Sequence, residues 1–389
     1  MRKDAPFLAA MGCAALLSLL PVFAHAADSG AEAKRSATGV PGSDHLAAFS
    51  EASAEWGSGV EAVIENAFRK CFRTYIVAGK VLTVRLPFGE NNERADLLEG
   101  ALKVRGGGKA DPVVLWKEID SILTSADFSA YVSALTDARE KIISFDLERC
   151  SWATIRDWYS IDSIKAGAYP GLPHTPAVLV KGRDVAITDV YNYLFCVGRV
   201  GMDCSGFVWY LQKSIAATGG IDLDRVLGIS AGVPRSMNPS LYIGTWFFDP
   251  RNRNLEQVRD EVRNLRPGDV ILFKGEDGTT RHSAVIQSID MTKGTIRYLQ
   301  CTDEAPQEER GVHESSISFD PAKPKASLKD PSVIWRQRLS PPFPGELGVV
   351  FRDDGERYRA TSERGGGTIV RLKTLKKVIE KLSSSKAKK

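Results

Sequence analysis

The run Gly201-Met202-Asp203-Cys204-Ser205-Gly206, followed by apolar residues at Phe207, Val208, Leu211 and Ile215, constrains this chain more than any other stretch. The spacing predicts an amphipathic helix whose first turn holds Cys204. N–H groups in a first turn have no partner inside the helix, and the positive end of the helix dipole lies there, so a thiolate is stabilised. The thiolate is the reactive form of cysteine. A nucleophile of this kind needs a base, and the base needs an orienting group.

Three short apolar runs follow, from Val270 to Phe273, His282 to Ile289 and Thr295 to Cys301, with turn residues such as Pro267-Gly268 and Lys293-Gly294 between them. Each has the length of a strand, so a cysteine helix is followed by consecutive strands, an α+β arrangement. His282 opens the second strand and shares a face with Ala284 and Ile286, which makes it the candidate base. On the next strand Gln300 shares a face with Ile296 and Tyr298, and strand pairing would carry it toward His282. Its side-chain carbonyl could hold one imidazole N–H and so fix the tautomer. His45 and His174 fall in a linker and a proline loop and read as surface residues, and no paired spacing suggests a catalytic zinc or another metal.

The chain begins Met1-Arg2-Lys3, continues through an apolar stretch from Phe7 to Phe23 and reaches Ala24-His25-Ala26. Residues 1–26 read as a secretory signal peptide, and no other segment is long and apolar enough to span a membrane. Export places Cys71, Cys150, Cys196, Cys204 and Cys301 in an oxidising compartment, where an odd count suggests up to two bridges with Cys204 outside them. The net charge of +4 is too small to argue for nucleic acid as a partner. Residues 371–389 hold eight basic residues and one acidic, so the tail alone carries +7. Leu372, Leu375, Val378, Ile379 and Leu382 mark one face of a helix there, and its basic end is a candidate contact for an anionic surface.

The remaining segments divide as a flexible linker over 27–55, a mostly helical region over 56–165, a catalytic domain over 166–345 and an extension over 346–389. Within the second, one helix is expected from Val60 to Tyr75 with Gly79 ending it, followed by a short strand from Leu82 to Leu86. Another should start at Asp111-Pro112, and a third is expected to run from near Phe128 to Phe145. Gly106-Gly107-Gly108 reads as a loop without the pattern of a phosphate cradle. Residues 221–250 form a long Gly/Pro/aromatic stretch with Tyr242, Trp246, Phe247 and Phe248, either a binding loop or core filling. Inside it Gly228-Ile229-Ser230-Ala231-Gly232 matches a serine nucleophile elbow, but Val233-Pro234 and Pro239 oppose the helix that an elbow must enter.

Three blocks of this sequence, Gly201-Met202-Asp203-Cys204-Ser205-Gly206-Phe207, Leu265-Arg266-Pro267-Gly268-Asp269-Val270-Ile271-Leu272-Phe273 and Arg281-His282-Ser283-Ala284-Val285-Ile286, resemble in order the signature blocks of the NlpC-type, papain-like cysteine peptidases of bacterial cell walls. The resemblance covers about residues 185–320 and implies a papain-like domain in which a nucleophile helix packs on a small antiparallel sheet. It implies Cys204 as nucleophile, His282 as base and Gln300 as third member, and Tyr193, Asp203 and Ser205 as substrate-binding residues, with Tyr191 a rival for Tyr193. Three departures accompany it. Gln300 stands where histidine is commoner, Phe195-Cys196 replaces a glycine pair, and the stretch between the first two blocks is long.

The function expected is an exported cysteine hydrolase that cleaves amide bonds of peptidoglycan stem peptides without a cofactor. Two alternatives stand beside it: an amidase or acyltransferase on another amide, and a wall-binding protein whose site has decayed. A Cys196–Cys204 disulfide would block the nucleophile.

Overall fold

The computed structural model describes residues 46–49, 59–89, 111–146, 149–155, 177–230, 243–275, 278–302, 310–338, 350–352, 354–359 and 366–386. The signal-like leader, Gly106-Gly107-Gly108, His45, His174 and Tyr242 lie outside them. Residues from Ser43 onward form one compact unit.

Strand β1 (Leu46–Phe49) occupies part of the expected linker, because it adds to β2 (Phe72–Val77) as an antiparallel edge. Helix α1 (Val60–Arg69) buries Val60, Ile64, Ala67 and Phe68, a single stripe at helical spacing. It stops at Arg69 rather than running to Tyr75, since Phe72–Val77 pairs with β3 (Lys80–Arg85). The two-residue link Ala78-Gly79 has φ of 48° and 79°, the left-handed pair that joins tight hairpins. Gly79 therefore turns a hairpin instead of ending a helix.

Helix α2 (Pro112–Leu123) starts as expected, with the Asp111 side chain accepting from the Val113 N–H. Helix α3 (Ala126–Thr136) is capped by Ser125 and ends well before Phe145. Lys141–Asp146 is instead strand β4, held on both sides by β5 (Ser151–Ile155) and β6 (Ala177–Val180). Its β-branched and aromatic centre, Ile142-Ile143-Ser144-Phe145, suits a paired strand better than a solvated helix. The expected mostly helical region is thus mixed α and β. Strand β6 follows the expected domain boundary and pairs back across it.

Helix α4 (Ile187–Tyr193) passes into a π-type turn, Leu194–Gly198, ahead of helix α5 (Cys204–Thr218). Helix α6 (Leu223–Ser230) follows. Then come β7 (Leu255–Val258), β8 (Val270–Lys274), β9 (Thr280–Asp290), β10 (Thr295–Thr302), β11 (Gly311–Ser318), β12 (Ile334–Arg338) and β13 (Val350–Arg352). The chain closes with α7 (Gly355–Arg359), β14 (Gly366–Leu372) and α8 (Lys376–Lys386). Eight strands make one antiparallel sheet in the order β13-β12-β11-β10-β9-β8-β14-β7.

Period-two alternation gives this sheet two buried faces. Val270, Leu272, Val285, Leu299, Cys301 and Val312 join the core built with α1, α5 and α8. Ile271, Phe273, Ala284, Ile286, Tyr298 and Trp335 form a second core on the other face. The expected C-terminal extension is integral to both. Strand β14 lies between β8 and β7, and Arg371 and Leu372, read as helical, belong to it. Leu372, Leu375, Val378 and Ile379 are buried in the first core, so the apolar stripe seen in sequence docks against the body of the molecule.

Candidate active site

Each residue of the first block has a local structural task. A Cβ on Gly201 would stand 2.6 Å from the Gly89 backbone nitrogen, so only glycine lets the two segments pass. There the Met202 N–H donates to the Pro87 carbonyl at 3.0 Å, and the Met202 carbonyl accepts from Gly89 at 3.2 Å. The Cys301 thiol donates to the same carbonyl at 3.0 Å. Asp203 takes an extended conformation and caps α5, its carboxylate accepting from the Gly206 N–H. Cys204 is thereby fixed as the first helical residue, 8% exposed, and it belongs to neither apolar core.

The second block is a brace. Gly268 turns the chain at φ 92°, and its carbonyl accepts from Gln212 of α5 at 2.9 Å. The Asp269 carboxylate accepts from the Arg266 N–H and from Arg371 of β14 through two contacts of 2.6 and 2.7 Å. Burial pushes its carboxyl up to about 6 even against that guanidinium.

His282 lies on the face of the second core, 6% exposed, with its ring 5.5 Å from that of Phe273. Gln300 stands opposite Ala284 in the β9–β10 register, two residues along the same face from His282. Its Oε1 is 2.7 Å from His282 Nε2. The structure thus joins His282 and Gln300 directly. It ties the approach to α5 onto the residue after Gln300, through the contact between Cys301 and Met202.

Four residues that sequence reasoning left without a role surround this pair. Gln300 Nε2 donates to Ser315 Oγ at 2.8 Å and to Asp354 Oδ2 at 3.2 Å. Tyr298 donates its hydroxyl to the same Asp354 oxygen at 2.8 Å. His313 faces Gln300 across β10 and β11, with its Nδ1–H on the Gly311 carbonyl at 3.1 Å. Ser315 and His313 had a usable signal, since period-two spacing sets them on one face of a strand following Gln300. Asp354 had none, because it arrives from the loop before α7.

The remaining candidates are engaged in packing and capping. Tyr193 is buried among Phe128 and Tyr131, its hydroxyl donating to Asp127, and Tyr191 accepts from the Arg85 N–H. Ser205 is likewise packed inside, and Asp203 is engaged as the helix cap. The five described cysteines form no disulfide. Cys71 instead donates to the Ala67 carbonyl, and Cys150 accepts from Arg199. Gly228, Ile229 and Ser230 end α6, the reverse of an elbow that must open a helix. In the aromatic stretch Phe247 and Phe248 are core, Phe247 meeting Trp209 of α5 edge-on, whereas Trp246 is 46% exposed. Among the described residues no group of three or more His, Cys, Asp or Glu could hold a metal, and no helix is long and apolar enough to cross a membrane.

Burial, with the nearby Arg85 charge adding to it, drives His313 down to about 3. The folded protein keeps this ring neutral while the unfolded chain takes up a proton near pH 6.5. Stability is therefore lost as pH falls from about 6.5 toward 3, at up to about 1.4 kcal/mol per pH unit from this group. His313→Gln should flatten that slope in urea unfolding, and a slope identical to wild type would contradict the assignment.

Comparison with family models, curated proteins and solved structures returns no significant match to this chain.

Proposed function

We propose that this chain is an exported papain-like thiol hydrolase that cleaves amide bonds in peptidoglycan stem peptides. One observation carries the chemistry. A cysteine at the first position of a capped helix is tied to the strand whose Gln300 holds the candidate base, His282. The substrate class and export rest on the three sequence blocks and the leader-like residues 1–26.

In this reading His282 takes the thiol proton of Cys204, and the thiolate attacks the amide carbonyl. The Cys204 backbone N–H, at the start of α5, helps hold the oxyanion that forms. The imidazolium then gives its proton to the leaving amine, and water, activated by the same ring, releases the acyl group.

Alkylation tests the nucleophile without a substrate. Burial pushes Cys196 up to about 12 and Cys71 higher still, so neither reacts near neutral pH. Iodoacetamide at neutral pH should label Cys204 first, as read by peptide mass mapping, and His282→Ala should slow that labelling at least tenfold. Labelling of Cys204 no faster than Cys196 would remove the thiolate from the reading.

A further inference from the structure

Imidazole can act as a base only through the nitrogen that lacks a proton, so the tautomer of His282 decides whether the site works. His282 Nε2 faces the Gln300 side chain at 2.7 Å. An amide offers either an acceptor oxygen or a donor NH2 to that nitrogen, and the two choices select opposite tautomers. Gln300 is held at its far end by two groups. Ser315 Oγ, at 2.8 Å, is a hydroxyl that can donate or accept and so accommodates either end of the amide. Asp354 Oδ2, at 3.2 Å, also receives the Tyr298 hydroxyl, so this oxygen stands as an acceptor toward both side chains. It admits the Gln300 NH2 and rejects the oxygen. Gln300 Oε1 is then turned to His282, whose Nε2 must carry the proton.

We infer that Asp354 is a positioning residue that acts through Gln300, fixing His282 as the Nε2–H tautomer and leaving Nδ1 as the basic nitrogen. Asp354 does not touch the reacting atoms. The residue comes from the far end of the chain, 150 positions after Cys204, and is 1% exposed at the start of α7. Its backbone carbonyl accepts from the Tyr358 N–H at 3.0 Å, so the first turn of α7 fixes it in place. Ionisable groups near this relay include Tyr298 of β10, His313 of β11 with Arg85 acting on it, and Tyr358 and Arg357 of α7, with Asp260 and Lys329 beside Tyr358.

This inference rests on the hydrolase reading only for its effect on turnover, because the tautomer can be observed by itself. Nitrogen NMR of protein carrying 15N-histidine distinguishes Nε2–H from Nδ1–H, with His282→Gln assigning the signal. At about pH 8, above the ordinary histidine range, wild-type His282 should be the Nε2–H form. Asp354→Asn supplies both a donor and an acceptor at nearly the same size, so Gln300 can turn over. The variant should show loss of the pure Nε2–H signal and at least a tenfold fall in kcat, with KM little changed. Tyr298→Phe, which keeps the carboxylate, should retain the wild-type tautomer. An Nδ1–H ring in the wild type, or an unchanged Nε2–H ring in folded Asp354→Asn, overturns the inference. If Asp354→Asn does not fold, Ser315→Ala decides: Asp354 is then the remaining acceptor for the Gln300 NH2, and a changed tautomer overturns the role given to it. A wild type that cleaves no amide, with the tautomer response intact, removes the hydrolase reading and leaves the positioning role standing.

Discussion

Cys204→Ala is expected to abolish amide hydrolysis, by roughly four to six orders of magnitude relative to wild type, while the folded protein persists. The two halves of this expectation have separate causes. Turnover fails because alanine offers neither a nucleophile nor a proton for His282 to take. The fold survives because the helix start depends on the Asp203 carboxylate and on the Met202 backbone contacts, none of which uses the sulfur. The loss of one buried sulfur costs about 1 kcal/mol. Circular dichroism and thermal unfolding of the variant should therefore nearly match wild type, and a folded variant with residual activity above one part in a thousand would exclude Cys204 as nucleophile.

Asp269→Ala should destabilise the protein by about 3–5 kcal/mol, a large share of the 5–15 kcal/mol of a typical domain. The cost does not come from a pair that is strongly favourable in itself. The rise of the Asp269 carboxyl to about 6 beside Arg371 shows that burial of the charge outweighs the attraction. Removing the carboxylate leaves the Arg371 guanidinium, 7% exposed, inside the sheet with one acceptor left, the Asn264 carbonyl at 3.2 Å. Replacing both residues, as Asp269→Leu with Arg371→Met, removes the stranded charge and should recover most of the loss. Urea unfolding of the two singles and the double checks this, and a double variant as unstable as the sum of the singles would show that the pair is not the source.

The sequence carried the strand and helix identities near Cys204 because each has a clear period. The stripe Phe207, Val208, Leu211 and Ile215 and the short apolar run Val270–Phe273 both appear as read, the first as a helix and the second as a strand. Gln300 could be placed beside His282 for the same reason, since adjacent antiparallel strands put like faces together. Errors arose where local and long-range demands compete. Phe72–Val77 and Lys141–Asp146 hold apolar residues that fit a helix stripe, but each finds a strand partner, and tertiary pairing overrides propensity. Linear spacing likewise could not show that Tyr193 gives its hydroxyl to Asp127, from another helix. Asp354 and the interior place of β14, next to the edge strand β7, were invisible for a plainer reason. Nothing in a linear pattern tells a C-terminal strand to enter a sheet between β8 and β7.

The most direct test is to incubate the mature protein, under mild reductant, with purified peptidoglycan and follow released fragments by mass spectrometry, with Cys204→Ala alongside. The hydrolase reading predicts new stem-peptide fragments from the wild type alone, and their masses identify the bond. Intact stem peptides after incubation with a folded wild type, or the same fragments from Cys204→Ala, would contradict it.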